Sequence, residues 1–258
     1  MRLVSLEGRR VLVTRASHQA GTLSEGLRAL GAEPVEVPVL EFRPPASFEA
    51  LDAALRRFRY YDWLVLTSSN AVRAITERAA ELRIELEQPD SMKVAAVGEA
   101  TASAAVTAGL TIAFIPESYV AEELIEGMER DVSRKMVLLA RAETARDVIP
   151  DRLRAAGAQV DVADAYRNIL PKDAPQMLRQ ALKGRIDAAT FTSSSSVTHL
   201  EEAARQGYVK WPLPGIPAVS IGPVTSRTLR ELKWPPADEA NPSDIPGLIE
   251  AVVRVLRG

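Results

Sequence analysis

The chain has 258 residues, a formal net charge of −2, 47% hydrophobic and 26% charged residues, which is ordinary globular material of a length that divides into two modest domains and too nearly neutral for nucleic acid to be the main partner. It has no cysteine and two histidines, His18 and His199, which excludes disulfide and thiolate chemistry and argues against a histidine-built metal site. The opening MRLVSLEGRRVLVTR has charges where a signal peptide needs an apolar core, and no run approaches the roughly 18 apolar residues of a membrane helix, so a soluble cytoplasmic protein without a membrane partner is expected.

In chain order, VLVT (11–14) reads as a short strand closed by Arg15, and Leu23, Leu27 and Leu30 fall on one face of a helix that Gly31 stops. VPVLEFRPP (37–45) is an extended, proline-marked segment. Apolar runs of strand length follow at 64–66, 94–97 and 111–115, separated by helical stretches at 71–82, 100–108 and 121–128. The same order then returns. VLLAR (137–141) repeats VLVTR (11–15) and LRAAGAQ (153–159) repeats LRALGAE (27–33), both 126 residues on. DAATFTSSSSV (187–197) repeats DWLVLTSSNAV (62–72) at 125, and VSIGPVTSRT (219–228) repeats AAVGEATASA (95–104) at 124. PGLIEAV (246–252) repeats EELIEGM (122–128), also at 124. A domain-sized period means duplication, since solenoid repeats run about 20–50 residues.

Strands buried on both faces and joined by helices predict an α/β fold with two similar domains, each a parallel sheet flanked by helices. The second extended segment, DAYRNILP (164–171), stands at the same point of its half as VPVLEFRPP, so both read as connectors between domains. One crossing makes tandem domains and two make one domain discontinuous. Spacing does not choose between them.

In an open parallel sheet, ligands bind beyond the carboxyl ends of the strands, where helix N-termini present unpaired N–H groups and partial positive charge. Candidate substrate-binding residues follow from that rule. They are Ser68, Ser69 and Asn70 in the first hydroxyl loop, Ser193, Ser194 and Ser195 in the second, Gly98 with Thr101 and Gly222 with Thr225 at the next junctions, and Thr14, Arg15 and Arg141 at strand ends. The hydroxyls either cap their helices or bind an anion with the backbone amides. The arginines either fork onto carboxylates or form surface ion pairs. Neither half has GxGxxG after its first strand and no GxxxxGK[ST] occurs, so dinucleotide and P-loop readings fall. His18 and His199 read as surface helix residues, and no carboxylate pair stands out as an acid–base dyad.

VLVTR, the paired LTSSNAV and FTSSSSV loops, AVGEATA, LRAAGAQVDVADAY and SIGPVTSRTL together resemble the uroporphyrinogen-III synthase family over nearly the whole chain. The resemblance implies conversion of hydroxymethylbilane to uroporphyrinogen III, with loss of the terminal hydroxyl and inversion of ring D through a spiro intermediate, using no metal and no organic cofactor. It implies two α/β domains, 1–36 with 171–258 and 42–165, joined by linker strands 37–41 and 166–170, with the ligand in the cleft between them. A monomer is expected. Hydroxymethylbilane has eight carboxylates, which suits paired helix N-termini on a protein of net charge −2. Tyr166 matches the tyrosine of the family's AY motif and is the candidate to assist departure of the hydroxyl by donating a hydrogen bond, or else only packs in the linker. The second class considered is a cytoplasmic two-lobed protein that binds or senses a small anion without catalysis; the exported and repressor relatives of that class have a signal peptide or a helix-turn-helix, and neither is visible here.

Overall fold

The structure, a computed structural model, describes residues 5–116, 121–145 and 147–257, apart from the side chains at positions 18, 121 and 122. The expected surface placement of the His18 side chain therefore lies outside the described residues. In chain order the strands are β1 (Arg10–Val13), β2 (Glu33–Glu36), β3 (Glu41–Arg43), β4 (Trp63–Leu66), β5 (Lys93–Ala96), β6 (Met136–Ala142), β7 (Gln159–Ile169), β8 (Ala188–Phe191), β9 (Ala218–Ser220) and β10 (Asp238–Glu239). The helices are α1 (Ser17–Ala29), α2 (Glu49–Arg56), α3 (Ser69–Glu81), α4 (Glu99–Thr107), α5 (Ala121–Met128), α6 (Val148–Ala155), α7 (Ala174–Ala181), α8 (Ser194–Gln206), α9 (Pro223–Glu231) and α10 (Ile245–Arg257).

The chain divides into two compact units, Met1–Phe42 with Ile169–Gly258, and Arg43–Asn168. One sheet has the order β10-β9-β8-β1-β2 with every described pair parallel. The other has the order β3-β7-β6-β4-β5, with β7, β6, β4 and β5 running parallel. Each sheet thus draws strands from both copies of the repeat: β1 and β2 of the first copy join β8, β9 and β10 of the second, and β4 and β5 of the first join β6 and β7 of the second. Residues 111–115, expected as a strand, make an isolated parallel bridge from Phe114 to Ala95 instead. That bridge occupies, in the second sheet, the place that β10 holds in the first.

Burial on both faces explains the unbroken apolar runs. In β1, Leu12 packs with Phe191, Val197 and Leu200 on one face, while Val11 and Val13 pack with Leu23, Leu27 and Leu248 on the other. All of these side chains are fully buried, each worth about 1.5–3 kcal/mol over its exposed state. Trp63, Val65, Val137 and Leu139 turn towards Leu124, Ile125 and Leu153 in the second sheet, and the alternate residues Leu64, Leu66 and Leu138 are equally buried. Gly31 and Gly157, at matching places in LRALGAE and LRAAGAQ, adopt φ of +87° and +91°. That left-handed turn, which glycine enters without a Cβ clash, releases the chain from α1 and α6 into the next strand.

Candidate active site

Because the strands run parallel, the loops that follow β4, β5, β6 and β7 leave one edge of their sheet, and those that follow β1, β8 and β9 leave one edge of the other. The candidate residues lie near the strand ends, on these loops or in the first turns of the helices behind them. Within each unit they are therefore neighbours, although they are far apart in sequence.

In the unit Arg43–Asn168, Ser68 is the N-cap of α3 and accepts the Ala71 N–H at 3.1 Å. The Tyr166 phenol oxygen stands 3.0 Å from Ser68 Oγ and also meets the Asn70 side chain. Tyr166 is 8% exposed. Burial raises its pKa, outweighing the opposite effect of the Ser68 and Asn70 contacts. Either hydroxyl of the Tyr166–Ser68 pair can be the donor, and the phenol keeps its proton at neutral pH. Ser69 is the first residue of α3, Gly98 is the extended N-cap of α4, and Thr101 is buried in the first turn of α4. Arg141, near the end of β6, is 8% exposed and pairs with Asp147 at 2.8 Å and Asp164 at 3.3 Å.

In the other unit Ser193 caps α8 in a capping box, its Oγ accepting the Ser196 N–H at 3.1 Å while Ser196 Oγ accepts the Ser193 N–H at 3.3 Å. Ser194 Oγ accepts from the Thr228 hydroxyl at 2.9 Å and donates to the Val224 carbonyl at 3.4 Å, which ties the start of α8 to α9. Ser195 follows on α8, partly exposed. Gly222 is the N-cap of α9, where a Cβ would stand 2.8 Å from Ser243 Oγ, and Thr225 is buried in the first turn. Thr14 is fully buried with its hydroxyl given to the Thr190 carbonyl at 2.8 Å, while Thr190 returns a bond to the Leu12 carbonyl at 2.9 Å. That reciprocal pair holds β1 to β8. Arg15 differs from Arg141: its Nε is buried with no hydrogen-bond partner among the described residues, and burial lowers its pKa.

Several residues escaped the reading of the sequence. Ser196 completes the capping box, and S-x-x-S was a legible signal for it. Asn168, two residues beyond Tyr166 on β7, has a buried Oδ1 without a partner among the described residues. The buried Ser220 and Ser226 hydroxyls lie 2.5 Å apart and Ser226 bonds to Glu239, linking β9, α9 and β10. His199 is half-buried rather than superficial, its Nδ1 lying 2.9 Å from the Val39 carbonyl. Two grooves of about 410 and 450 Å³ have carboxylates in their walls, Glu36 and Asp173 in the first and Glu49, Glu143 and Asp164 in the second. Their sign is wrong for a polyanion.

Fold and site together define a duplicated parallel α/β protein whose strand ends gather hydroxyls, helix N-termini, arginines and the buried Tyr166 phenol. The family model described as uroporphyrinogen-III synthase HemD matches residues 21–250, and the chain is 35% identical over 254 residues to the uroporphyrinogen-III synthase of Synechococcus elongatus, spanning 96% of this chain and 95% of that one. The chain belongs to the uroporphyrinogen-III synthase family. Its fold is similar to that of a mutant uroporphyrinogen III synthase from Thermus thermophilus, with a TM-score of 0.74 at 20% identity over 97% of this chain and 99% of that one. A uroporphyrinogen-III synthetase from Helicobacter pylori is similar at a TM-score of 0.60 and 18% identity, over 96% and 99%.

Proposed function

We propose that this chain closes hydroxymethylbilane to uroporphyrinogen III by holding the substrate's carboxylates on duplicated hydroxyl-and-amide loops while Tyr166 assists departure of the terminal hydroxyl. The activity itself, that of a uroporphyrinogen-III synthase, a hydro-lyase of tetrapyrrole biosynthesis, follows from family membership. The division of labour among residues rests on the site. The observation that carries it is the buried Tyr166 phenol 3.0 Å from Ser68, at the strand ends where the α3 N-terminus opens.

Departure of hydroxide from the hydroxymethyl carbon leaves a resonance-stabilised azafulvenium cation, so the chemical barrier asks little of the protein. A neutral phenol that donates to the leaving oxygen supplies what is needed, and burial keeps Tyr166 neutral. Selectivity asks more, because spontaneous closure joins ring D without inverting it. Each unit therefore contributes donors for carboxylates: Ser68, Ser69, Asn70, Gly98 and Thr101 in one, and Arg15, Ser193, Ser194, Ser195, Gly222 and Thr225 in the other, with hydroxyls and backbone N–H groups acting jointly. Thr14 and Arg141 each support the loops of their own unit, Thr14 through the Thr190 carbonyl and Arg141 through Asp147 and Asp164. On this reading the protein works as a monomer in the cytoplasm, with neither metal nor organic cofactor. Among the described residues no helix is long and apolar enough to cross a membrane and no cluster of three potential metal ligands occurs.

The test is incubation of purified protein with freshly generated hydroxymethylbilane, followed by oxidation and chromatographic separation of the uroporphyrin isomers. Type III isomer formed faster than the spontaneous rate is expected. Type I alone, at the spontaneous rate, would leave a binding protein and overturn the enzyme reading.

A further inference from the structure

Two side-chain polar atoms among the described residues are buried without a hydrogen-bond partner, Arg15 Nε and Asn168 Oδ1. One is a donor and the other an acceptor. Buried polar groups are almost always paired, and the exceptions gather where a ligand supplies the partner. The donor has an evident use, since the substrate proposed above has eight carboxylates and every carboxylate only accepts. The acceptor has none of that kind. Serine hydroxyls, helix N–H groups and guanidinium all offer hydrogens, so the candidate site is otherwise built to meet anions. A linear tetrapyrrole also brings donors of its own, one N–H per pyrrole ring, and nothing assigned so far receives them.

We infer that Asn168 accepts the N–H of the pyrrole ring that bears the hydroxymethyl group, through its unpaired Oδ1. The assignment rests on the uroporphyrinogen-III synthase reading above. Its position selects that ring. Asn168 follows Tyr166 by two residues on β7, the spacing at which side chains share a face of an extended strand, about 7 Å apart along it. With the Tyr166 phenol at the departing oxygen, the neighbouring acceptor meets the nitrogen of the same ring or none.

The chemistry gives that bond a purpose. The C–O bond breaks with its electron pair going to oxygen, which departs as water with the phenol proton. The ring nitrogen supplies the compensating electrons, so the ring becomes cationic and its N–H more acidic. A hydrogen bond from that N–H to Asn168 Oδ1 is weak in the ground state and strong as charge develops, which is the condition for accelerating a step rather than merely tightening binding. When ring D attacks and the macrocycle closes, the carbon that loses its proton restores the phenol. Atoms and charge then balance without any further reactant.

Asn168→Leu and Asn168→Asp test the assignment in the full-length protein, with kcat, KM, isomer ratio and melting temperature measured for each. Leucine removes the acceptor and also removes a buried unpaired polar atom, so kcat should fall about tenfold or more (tenfold is ~1.4 kcal/mol) while the melting temperature holds or rises. Aspartate keeps an acceptor oxygen and adds charge that favours the cation, so its kcat should stay within about threefold of wild type. Wild-type kcat in the leucine variant overturns the inference. So does a drop in melting temperature that accompanies lost activity, which marks a packing role, and so does an aspartate variant as slow as leucine, which would mean that the amide N–H is the working group. Type I product alone from the wild-type protein is a separate failure: it removes the enzyme reading, and this inference with it.

Discussion

Arg15 and Arg141 hold matching positions in the two copies of the repeat, and their surroundings differ: Arg141 is met by Asp147 and Asp164, while Arg15 Nε is buried with no partner among the described residues. On the proposed function, one arginine serves the scaffold and the other meets an anion. Arg15→Met, which keeps an unbranched stem, should raise KM for hydroxymethylbilane about 10–100-fold, as loss of a charge-assisted bond does, and leave the melting temperature unchanged. Arg141→Met should do the reverse. The expected loss is about 1–2 kcal/mol of stability, because Asp147 is exposed and regains water freely while Asp164 is only partly so. Steady-state kinetics beside thermal melts of the two variants decide it.

Tyr166→Phe keeps the ring and removes the donor. Turnover should fall about 10–1000-fold with little change in melting temperature, and the product should still be type III, since the proposed function leaves orientation to the hydroxyl-and-amide loops. Mainly type I product would show that the phenol orients ring D instead. The pH profile adds a sign. Burial raises the phenol's pKa, so the stability tied to its protonated state is fully present below the unfolded value of about 10 and lost as pH rises through the folded one. Wild-type turnover should likewise show no phenol-linked fall below about pH 10.

Ser193→Ala should lower stability by about 1 kcal/mol, the usual cost of losing an N-cap, because its Oγ holds the Ser196 N–H. Ser195→Ala should be silent in melts. If Ser195 contributes to carboxylate binding, its loss raises KM alone; equal melts and equal KM for both variants would remove the second hydroxyl loop from the proposal.

Asp62 sits at the start of β4 and accepts the Met136 N–H at 2.8 Å and the Lys135 ammonium at 3.0 Å. The backbone bond to Met136 is the largest influence holding its pKa low. A depressed carboxyl contributes stability that is present above its unfolded pKa near 4 and is lost as pH falls through the folded value. Asp62→Asn should therefore melt below wild type at pH 7, with the gap closing in acid below about pH 4. A gap that persists at pH 2 would mean that the loss is steric.

The strands β1, β4 and β8 were legible because both faces are buried, which writes an unbroken apolar run into the sequence. The run at 111–115 has the same composition, yet it gives only the Phe114 bridge to Ala95. Composition reports burial and does not report how many backbone partners an edge segment has. The loops were legible as junctions, but not the role of each hydroxyl. Ser193 is a cap because Ser196 stands three residues on, whereas Ser194 is engaged by Thr228, 34 residues away, which no local pattern encodes. The same limit hid the contrast between Arg15 and Arg141 and the unpaired oxygen of Asn168, since each depends on what neighbouring strands bring alongside.

The mixing of repeat copies within each sheet bears on how such a chain unfolds. The central contacts, β1 with β8 and β4 with β6, each join one copy to the other. A half-length chain could close one such sheet by setting its leading strand beside its own later strands; here the two copies trade leading strands instead, so that each sheet is completed by the other copy. The arrangement is that of two exchanged copies held in one covalent chain, so that neither sheet can unfold without withdrawing strands from both. The two copies have diverged within that exchange, since the arginine that pairs with Asp147 and Asp164 in one stands with a buried, unpartnered Nε among the described residues in the other.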